Sequence, residues 1–331
     1  MIGEIMAELI ESCALSGDTL NIWKVDCAGD IGDSGRFLRF ALATTGYENP
    51  YGPRQDLSYW RIYFHNAFKG ANLPEIHDFF YFAEVNGTVA ARLWFAYAPA
   101  NNFGNFGNIF TLPEFRRRGI LRKLMPHCIR DFEASPAKCL ACATGSEFAA
   151  RTYMDYGFQL VYGGTTGTMA LVKKEYGSFT ELDRKMLSDP SFVRFRDALK
   201  SDQFVIDKFV RYSQAFRGMT VYSQMLDFRC CMLEYLNGNG IIRAGENSSG
   251  IATGFAWAGT YNGINRLSFV IHPGTGVKGA ELLKDLTAQW QGGPLFYFQN
   301  KDDTQGALLL EAADFSRHGL LSDGTVVWIA G

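Results

Sequence analysis

Asn108-Ile109-Phe110-Thr111-Leu112-Pro113-Glu114-Phe115-Arg116-Arg117-Arg118-Gly119-Ile120-Leu121 decides how this chain reads. Residues 106–112 are apolar and include β-branched side chains, which predicts a strand stopped by Pro113. From Gly119 onward the apolar positions are Ile120, Leu121, Leu124, Met125, Cys128, Ile129 and Phe132, the spacing of one helix face. A strand that turns directly into a helix aims backbone N–H groups and the positive end of the helix dipole at one spot. An anion fits there, a pyrophosphate especially well. Gly119 lets a ligand approach the backbone without a Cβ in the way. Arg116, Arg117, Arg118, Arg122 and Lys123 add a positive field suited to a polyphosphate. A triple arginine before a helix can also be a plain solvated turn. A second motif downstream favours the ligand reading.

The stretch resembles the acetyl-CoA motif of the GNAT acetyltransferases, R/Q-x-x-G-x-G/A, read as Arg116-x-x-Gly119-x-Leu121. The segment before it is similar to family segments running Asn-Val-Tyr-Thr-x-Pro-Glu-Tyr-Arg. One position departs, since the family has Gly or Ala where this chain has Leu121. The resemblance covers residues 20–172 and implies a GNAT fold, an α/β (α+β) arrangement with a mixed, mainly antiparallel sheet splayed near its middle and flanked by helices.

The residues themselves give the order of elements that such a fold needs. Residues 20–27 suggest a first strand. Asp33-Ser34-Gly35 opens a helical pattern, and Asp56 or Ser58 is placed to cap the next helix. Strand-like runs 79–85 and 88–97 surround Asn86-Gly87, a hairpin signal. After the organising strand and helix come a strand at 138–143, a helix at 147–156, and two strands at 158–161 and 168–172. Pro126 inside the helix after the motif predicts a kink. Residues 1–15 carry Glu4, Glu8 and Glu11 with no basic residue, which is wrong for a signal peptide and reads as a leading amphipathic helix over 1–19.

The second half reads as a repeat of the first. Pro273 precedes Gly279 by the spacing that separates Pro113 from Gly119, and strand and helix patterns follow in the same order through 326–329. The copy is chemically stripped. Gly276 stands where Arg116 would be, no arginine flanks Gly279, and Leu310 occupies the place of Tyr153. The expected organisation is a catalytic domain over 20–174 and a degenerate GNAT-like domain over 175–331, so that the fold is present twice. Residues 179–218 between them read as helical and charged.

Composition bounds the function. The 331 residues are 47% hydrophobic and 15% aromatic, enough for two cores, and 32 Lys+Arg against 34 Asp+Glu argue against nucleic acid or an anionic membrane as partner. The 7 cysteines are scattered, and Cys139-x-x-Cys142 lacks the second pair a zinc site needs. These features predict core thiols, no metal and a reducing cytoplasmic setting.

Given the resemblance, the reaction is acetyl transfer from acetyl-CoA to a primary amine on a small molecule or peptide, directly within a ternary complex. Such transfer needs a deprotonated amine, a polarised thioester, and a proton for the leaving thiolate. Tyr153, four residues before Gly157, matches the family tyrosine that supplies that proton. Family positions that hold the cofactor fall on Ile109, Phe110, Thr111, Arg116, Arg117, Arg118, Gly119, Ile120, Leu121 and Arg122. Ser146 stands where the family often has asparagine. No base is evident. Glu84, Glu147 and His65 are candidates, with Glu84 preferred, and His127 reads as structural. The second half would wall the acceptor cleft or make a homodimer contact. The competing class is a non-catalytic acyl-CoA sensor or scaffold.

Overall fold

The computed structural model describes residues 7–28, 35–45, 54–206, 228–299 and 303–330. The chain divides into two compact units, Met1–Phe179 and Thr180–Gly331.

The first unit runs β1 (Glu8–Leu15), β2 (Asp18–Asp26), α1 (Arg36–Thr44), α2 (Arg54–Phe68), β3 (His77–Val85), β4 (Thr88–Ala98), β5 (Phe103–Thr111), α3 (Ile120–Ala134), β6 (Cys139–Thr144), α4 (Glu147–Met154), β7 (Gln159–Gly163) and β8 (Gly167–Val172). Its sheet has the order β1-β2-β3-β4-β5-β6-β8-β7. Every neighbouring pair is antiparallel except β5 and β6.

Residues 8–15 are thus a strand, where the acidic spacing had suggested a helix. The reason is local and tertiary together. Ser16 and Gly17 both take positive φ, 53° and 91°, the turn that folds a strand back on its neighbour, and β1 gains a full ladder on β2. Asn86-Gly87 closes the β3–β4 hairpin the same way, with φ of 47° and 83°. Two expected caps also move. α2 begins at Arg54, so Asp56 and Ser58 lie inside it, while Asp33 and Ser34 fall outside the described residues.

Alternation along the strands builds two faces. Phe79, Tyr81, Leu93, Phe95 and Phe106 pack against Leu124, Met125, Cys128 and Phe132 of α3. On the opposite face, Phe80 and Phe82 meet Phe64 and Phe68 of α2, and Phe37 of α1 stacks on Phe82 at 4.6 Å. Asp78 is buried on this second side but satisfied, accepting hydrogen bonds from Tyr63 (2.7 Å), Trp94 (2.8 Å) and Asn72 (2.9 Å).

The second unit contains α5 (Phe179–Met186), β9 (Arg194–Asp197), α6 (Gln203–Val205), α7 (Phe228–Leu236), β10 (Ile241–Glu246), β11 (Ala252–Tyr261), β12 (Ile264–Ile271), α8 (Ala280–Gln289), β13 (Leu295–Gln299), α9 (Thr304–Ala312), β14 (Ser316–Leu320) and β15 (Val326–Ala330). Its order is β14-β15-β13-β12-β11-β10-β9, with β12 and β13 its one parallel neighbour pair. Strand for strand this is β7-β8-β6-β5-β4-β3-β2 of the first unit, so the wiring is doubled, and among the described residues only β1 has no counterpart. Residues 179–218 are not wholly helical as expected: β9 interrupts them, and 207–218 lie outside the described residues. The charges of β9 mislead because they are used internally. Arg196 pairs with Asp202 and Glu246, each at 2.7 Å.

Candidate active site

The parallel β5–β6 ladder joins Phe103, Gly104 and Asn105 to Cys139, Leu140 and Ala141 and goes no further. Past Asn105, β5 continues to Thr111 paired with β4 alone. The sheet therefore opens along 106–111, leaving an edge of β5 toward the ends of α3 and α4. On the β4 side the register slips between Arg92 and Trp94, a bulge over Asn108 and Ile109, where Asn108 takes φ 48°.

At the end of β5 the chain makes a short turn, Pro113–Phe115, and enters α3. Arg117 and Gly119 are both left-handed, with φ of 60° and 78°. Gly119 caps α3 without a side-chain acceptor, and the first-turn amides of Ile120, Leu121 and Arg122 have no intrahelical carbonyl to meet. A Cβ built on Gly119 would meet nothing within 4 Å. The loop is thus an open cradle of N–H groups at a helix N-terminus, and a pyrophosphate fits it.

Around this cradle lies a cleft of about 440 Å³ lined by Ile109, Phe110, Thr111, Phe115, Arg116, Arg117, Gly119, Ile120, Leu121 and Arg122, with Phe148 and Thr152 from α4. Nine of the sequence-derived cofactor positions meet there. Leu121 lines the cleft while packing against the core, so its bulk does not fill the cradle. Two positions do not join them. Arg118 is turned away, paired with Asp18 and reaching the Leu15 carbonyl at 3.5 Å. Ser146 caps α4, accepting from the Ala149 amide at 3.3 Å, and is not among the lining residues.

Phe148 and Thr152 had no part in the sequence reading, and Phe115 entered it without a role in the site. Phe148 carried a usable signal, being a large aromatic side chain at the second position of a capped helix, where burial is not available. It is 74% exposed.

Tyr153 stands on α4 next to the cleft-lining Thr152 but is itself buried and outside the lining, with its ring edge-on to Phe106 of β5 at 5.3 Å and tilted to Phe158 at 5.8 Å. Burial raises its phenol well above the ordinary value, so it stays protonated. Tyr156 has a different task. Pro126 has no N–H to give the Arg122 carbonyl one turn earlier, and the Tyr156 hydroxyl donates to that carbonyl at 3.0 Å. α3 runs unbroken from Ile120 to Ala134.

The candidate bases lie apart from the cleft lining. Glu84 is buried on β3 and paired with Arg36 of α1 at 2.5 Å. Glu147 accepts from Thr165 at 3.1 Å and pairs with Arg151 at 3.4 Å. His65 lies half-buried on α2. His127 tethers α3 to β1 through Glu11 at 2.7 Å. Cys139 and Cys142 are buried free thiols in β6.

The corresponding loop of the second unit is closed. Gly279 is right-handed at the start of α8. A Cβ there would lie 2.7–2.9 Å from Thr275 Oγ1, Ile271 Cγ2 and Leu309 Cδ2. Side chains occupy the space that is open at Gly119.

Residues 42–158 match the family model described as the acetyltransferase (GNAT) family. Similar solved structures include a GNAT-family acetyltransferase from Desulfovibrio desulfuricans at 13% identity, covering 45% of this chain and 96% of that one with a TM-score of 0.34. Another is a phosphinothricin acetyltransferase from Sinorhizobium meliloti in complex with acetyl-CoA, at 18% identity over 41% and 86% of the two chains, TM-score 0.35. A third is the PaiA N-acetyltransferase of Thermoplasma acidophilum in complex with coenzyme A, at 13% identity over 46% and 99%, TM-score 0.34. None of the curated proteins compared matches the chain in sequence. The matched residues span the opened strand, the arginine-glycine cradle and α4, so the first unit of this chain contains the stretch that resembles the acetyltransferase (GNAT) family.

Proposed function

We propose that this protein is an N-acetyltransferase that moves the acetyl group of acetyl-CoA to a primary amine by direct transfer, with its site in the first unit. The observation that carries this reading is the open cradle at Gly119 lying beside the stretch of β5 that has parted from β6. The amides of Ile120, Leu121 and Arg122 with Arg116 and Arg117 suit the pyrophosphate. The stretch of β5 beyond its ladder with β6, at Ile109, Phe110 and Thr111, suits an extended pantetheine arm, which would lie along the sheet as a peptide strand does. The amine attacks the thioester carbonyl, the C–S bond breaks, and the leaving thiolate takes the Tyr153 proton, which burial keeps on the phenol. Among the described residues, none that lines the cleft is a carboxylate or an imidazole; in this proposal the amine proton passes to water, and Glu84, held by Arg36, takes no part. The closed loop at Gly279 and Leu310 in place of Tyr153 leave the second unit without the parts for transfer.

The test is calorimetric titration with acetyl-CoA, followed by free-thiol release with a panel of amines. One binding site per chain is expected, and Tyr153→Phe should abolish thiol release while leaving acetyl-CoA affinity unchanged. Binding with no thiol release from wild type on any amine would instead support an acyl-CoA sensor.

A further inference from the structure

Arg92 is out of place in the first unit. It sits inside β4, a strand otherwise made of small, apolar and aromatic residues, and is only 3% exposed. Its Nη2 reaches the Thr45 hydroxyl at 3.5 Å, the outer limit of a hydrogen bond. Its Nε and Nη1 have no hydrogen-bond partner among the described residues. No ion pair is formed by it among the described residues, and the Phe64 ring lies 5.1 Å from the guanidinium. Burial alone lowers its pKa, to about 9, so it remains a cation at neutral pH.

Other sheltered arginines of the chain show what is missing. Arg196 is held by Asp202 and Glu246, and Arg243 by Asp197 and Asp285. Each has two carboxylates, whereas Arg92 meets none among the described residues. A buried cation without a counter-charge is unfavourable, and a hydrophobic side chain of equal volume would suit the folded chain better. The position calls for an anion that the described chain does not supply.

Register shows where that anion would lie. Trp23, Phe82, Arg92 and Phe110 face one another in a single row across β2, β3, β4 and β5. Trp23 Nε1 is also buried without a partner among the described residues. The row is roofed by α1, with Phe37 stacked on Phe82 and Phe40 edge-on to both Phe82 and Phe110 at 6.3 Å. Its last member, Phe110, lines the cofactor cleft. Arg92 is therefore one strand spacing, about 4.8 Å, from the strand along which the thioester would lie, in a setting that is otherwise aromatic.

We propose that Arg92 is the anion subsite of the acceptor: the amine acetylated here carries a carboxylate, bound by the unpartnered N–H groups of Arg92 beside Phe110 while its amino group faces β5. The inference rests on the transferase reading above and names the substrate class of that site. The buried guanidinium acts as a specificity-determining group. A carboxylate-bearing amine satisfies it, and the decarboxylated analogue leaves it unpaired.

The experiment uses the full chain saturated with coenzyme A. Phenylalanine, tyrosine, leucine, histidine and lysine are titrated calorimetrically against phenethylamine, tyramine, isoamylamine, histamine and cadaverine. For at least one pair the amino acid should bind ten-fold tighter or more than its amine. Arg92→Met should reduce that ratio below two-fold, and Arg92→Lys should keep part of it. Equal affinities within every pair in wild type overturn the proposal, as does a preference that survives in Arg92→Met. A melting curve and an acetyl-CoA titration check that each variant is folded. If Arg92→Met does not fold, the wild-type pairs and Arg92→Lys decide. Thiol release is measured in parallel. A carboxylate preference without thiol release keeps the subsite and removes the transferase reading, and thiol release without preference does the reverse.

Discussion

Arg116, Arg117 and Arg118 are consecutive, yet two of them line the cleft and the third faces the β1–β2 hairpin. Left-handed geometry at Arg117 reverses the chain between them. Charge reversal therefore separates two jobs. Arg117→Glu should weaken acetyl-CoA binding at least ten-fold, about 1.4 kcal/mol, with little change in melting temperature. Arg118→Glu should leave affinity within about three-fold and lower the melting temperature, since Asp18 loses the partner that holds its carboxyl below the usual range. Titration calorimetry and melting curves on both variants check the pair. Arg118 would be the wrong residue with which to probe the cofactor site, although the motif includes it.

At the level of elements, α3 tolerates a proline because another element completes it. Tyr156, just past α4, donates to the Arg122 carbonyl that Pro126 cannot reach. Tyr156→Phe should cost about 1 kcal/mol in wild type and close to nothing in a Pro126→Ala background, where the helix supplies its own N–H. A double-mutant cycle by denaturant unfolding reads this non-additivity. The two glycine loops make a second contrast. Gly279→Ala should destabilise by about 1–3 kcal/mol, because its Cβ enters occupied space. Gly119→Ala has room but pays for a left-handed backbone, about 1–2 kcal/mol, and its Cβ should weaken acetyl-CoA binding in the cradle.

Across the molecule, stability in mild acid depends on two buried groups of the second unit that pull in opposite directions. Burial raises Asp183 to about 6 and lowers His272 to about 4. Folded Asp183 keeps its proton longer than the unfolded chain does, so stability falls as pH rises from about 4 through 6. Folded His272 refuses a proton that the unfolded chain takes below about 6.5, so its share rises over nearly the same window. Each is worth roughly 3 kcal/mol by linkage, and they largely offset. Asp183→Asn removes the first alone. It should exceed wild type in stability by roughly 2–3 kcal/mol at pH 7, with the difference vanishing near pH 4. Unfolding by urea at both pH values tests this.

The sequence by itself determined most of the first unit and its open glycine loop, because those signals are local. Asn86-Gly87 fixes a hairpin, alternating residues fix two sheet faces, and Gly119 after three arginines fixes an anion cradle. The spacing of Pro273 and Gly279 was likewise enough to expect a second copy of the fold. Tertiary structure decided what depends on partners distant in the chain. Residues 8–15 became a strand because β2 offered a ladder and Ser16-Gly17 a reversal, against an acidic spacing equally suited to a helix. Glu84 was placed against Arg36, Arg118 against Asp18, and Ser146 on its own helix, so the same residue types that could serve a ligand are used by the fold. Arg92 is the reverse case. Its place inside an apolar strand was visible in the sequence, but only the packed sheet shows that no carboxylate meets it among the described residues, since pairing is a property of space and not of spacing along the chain.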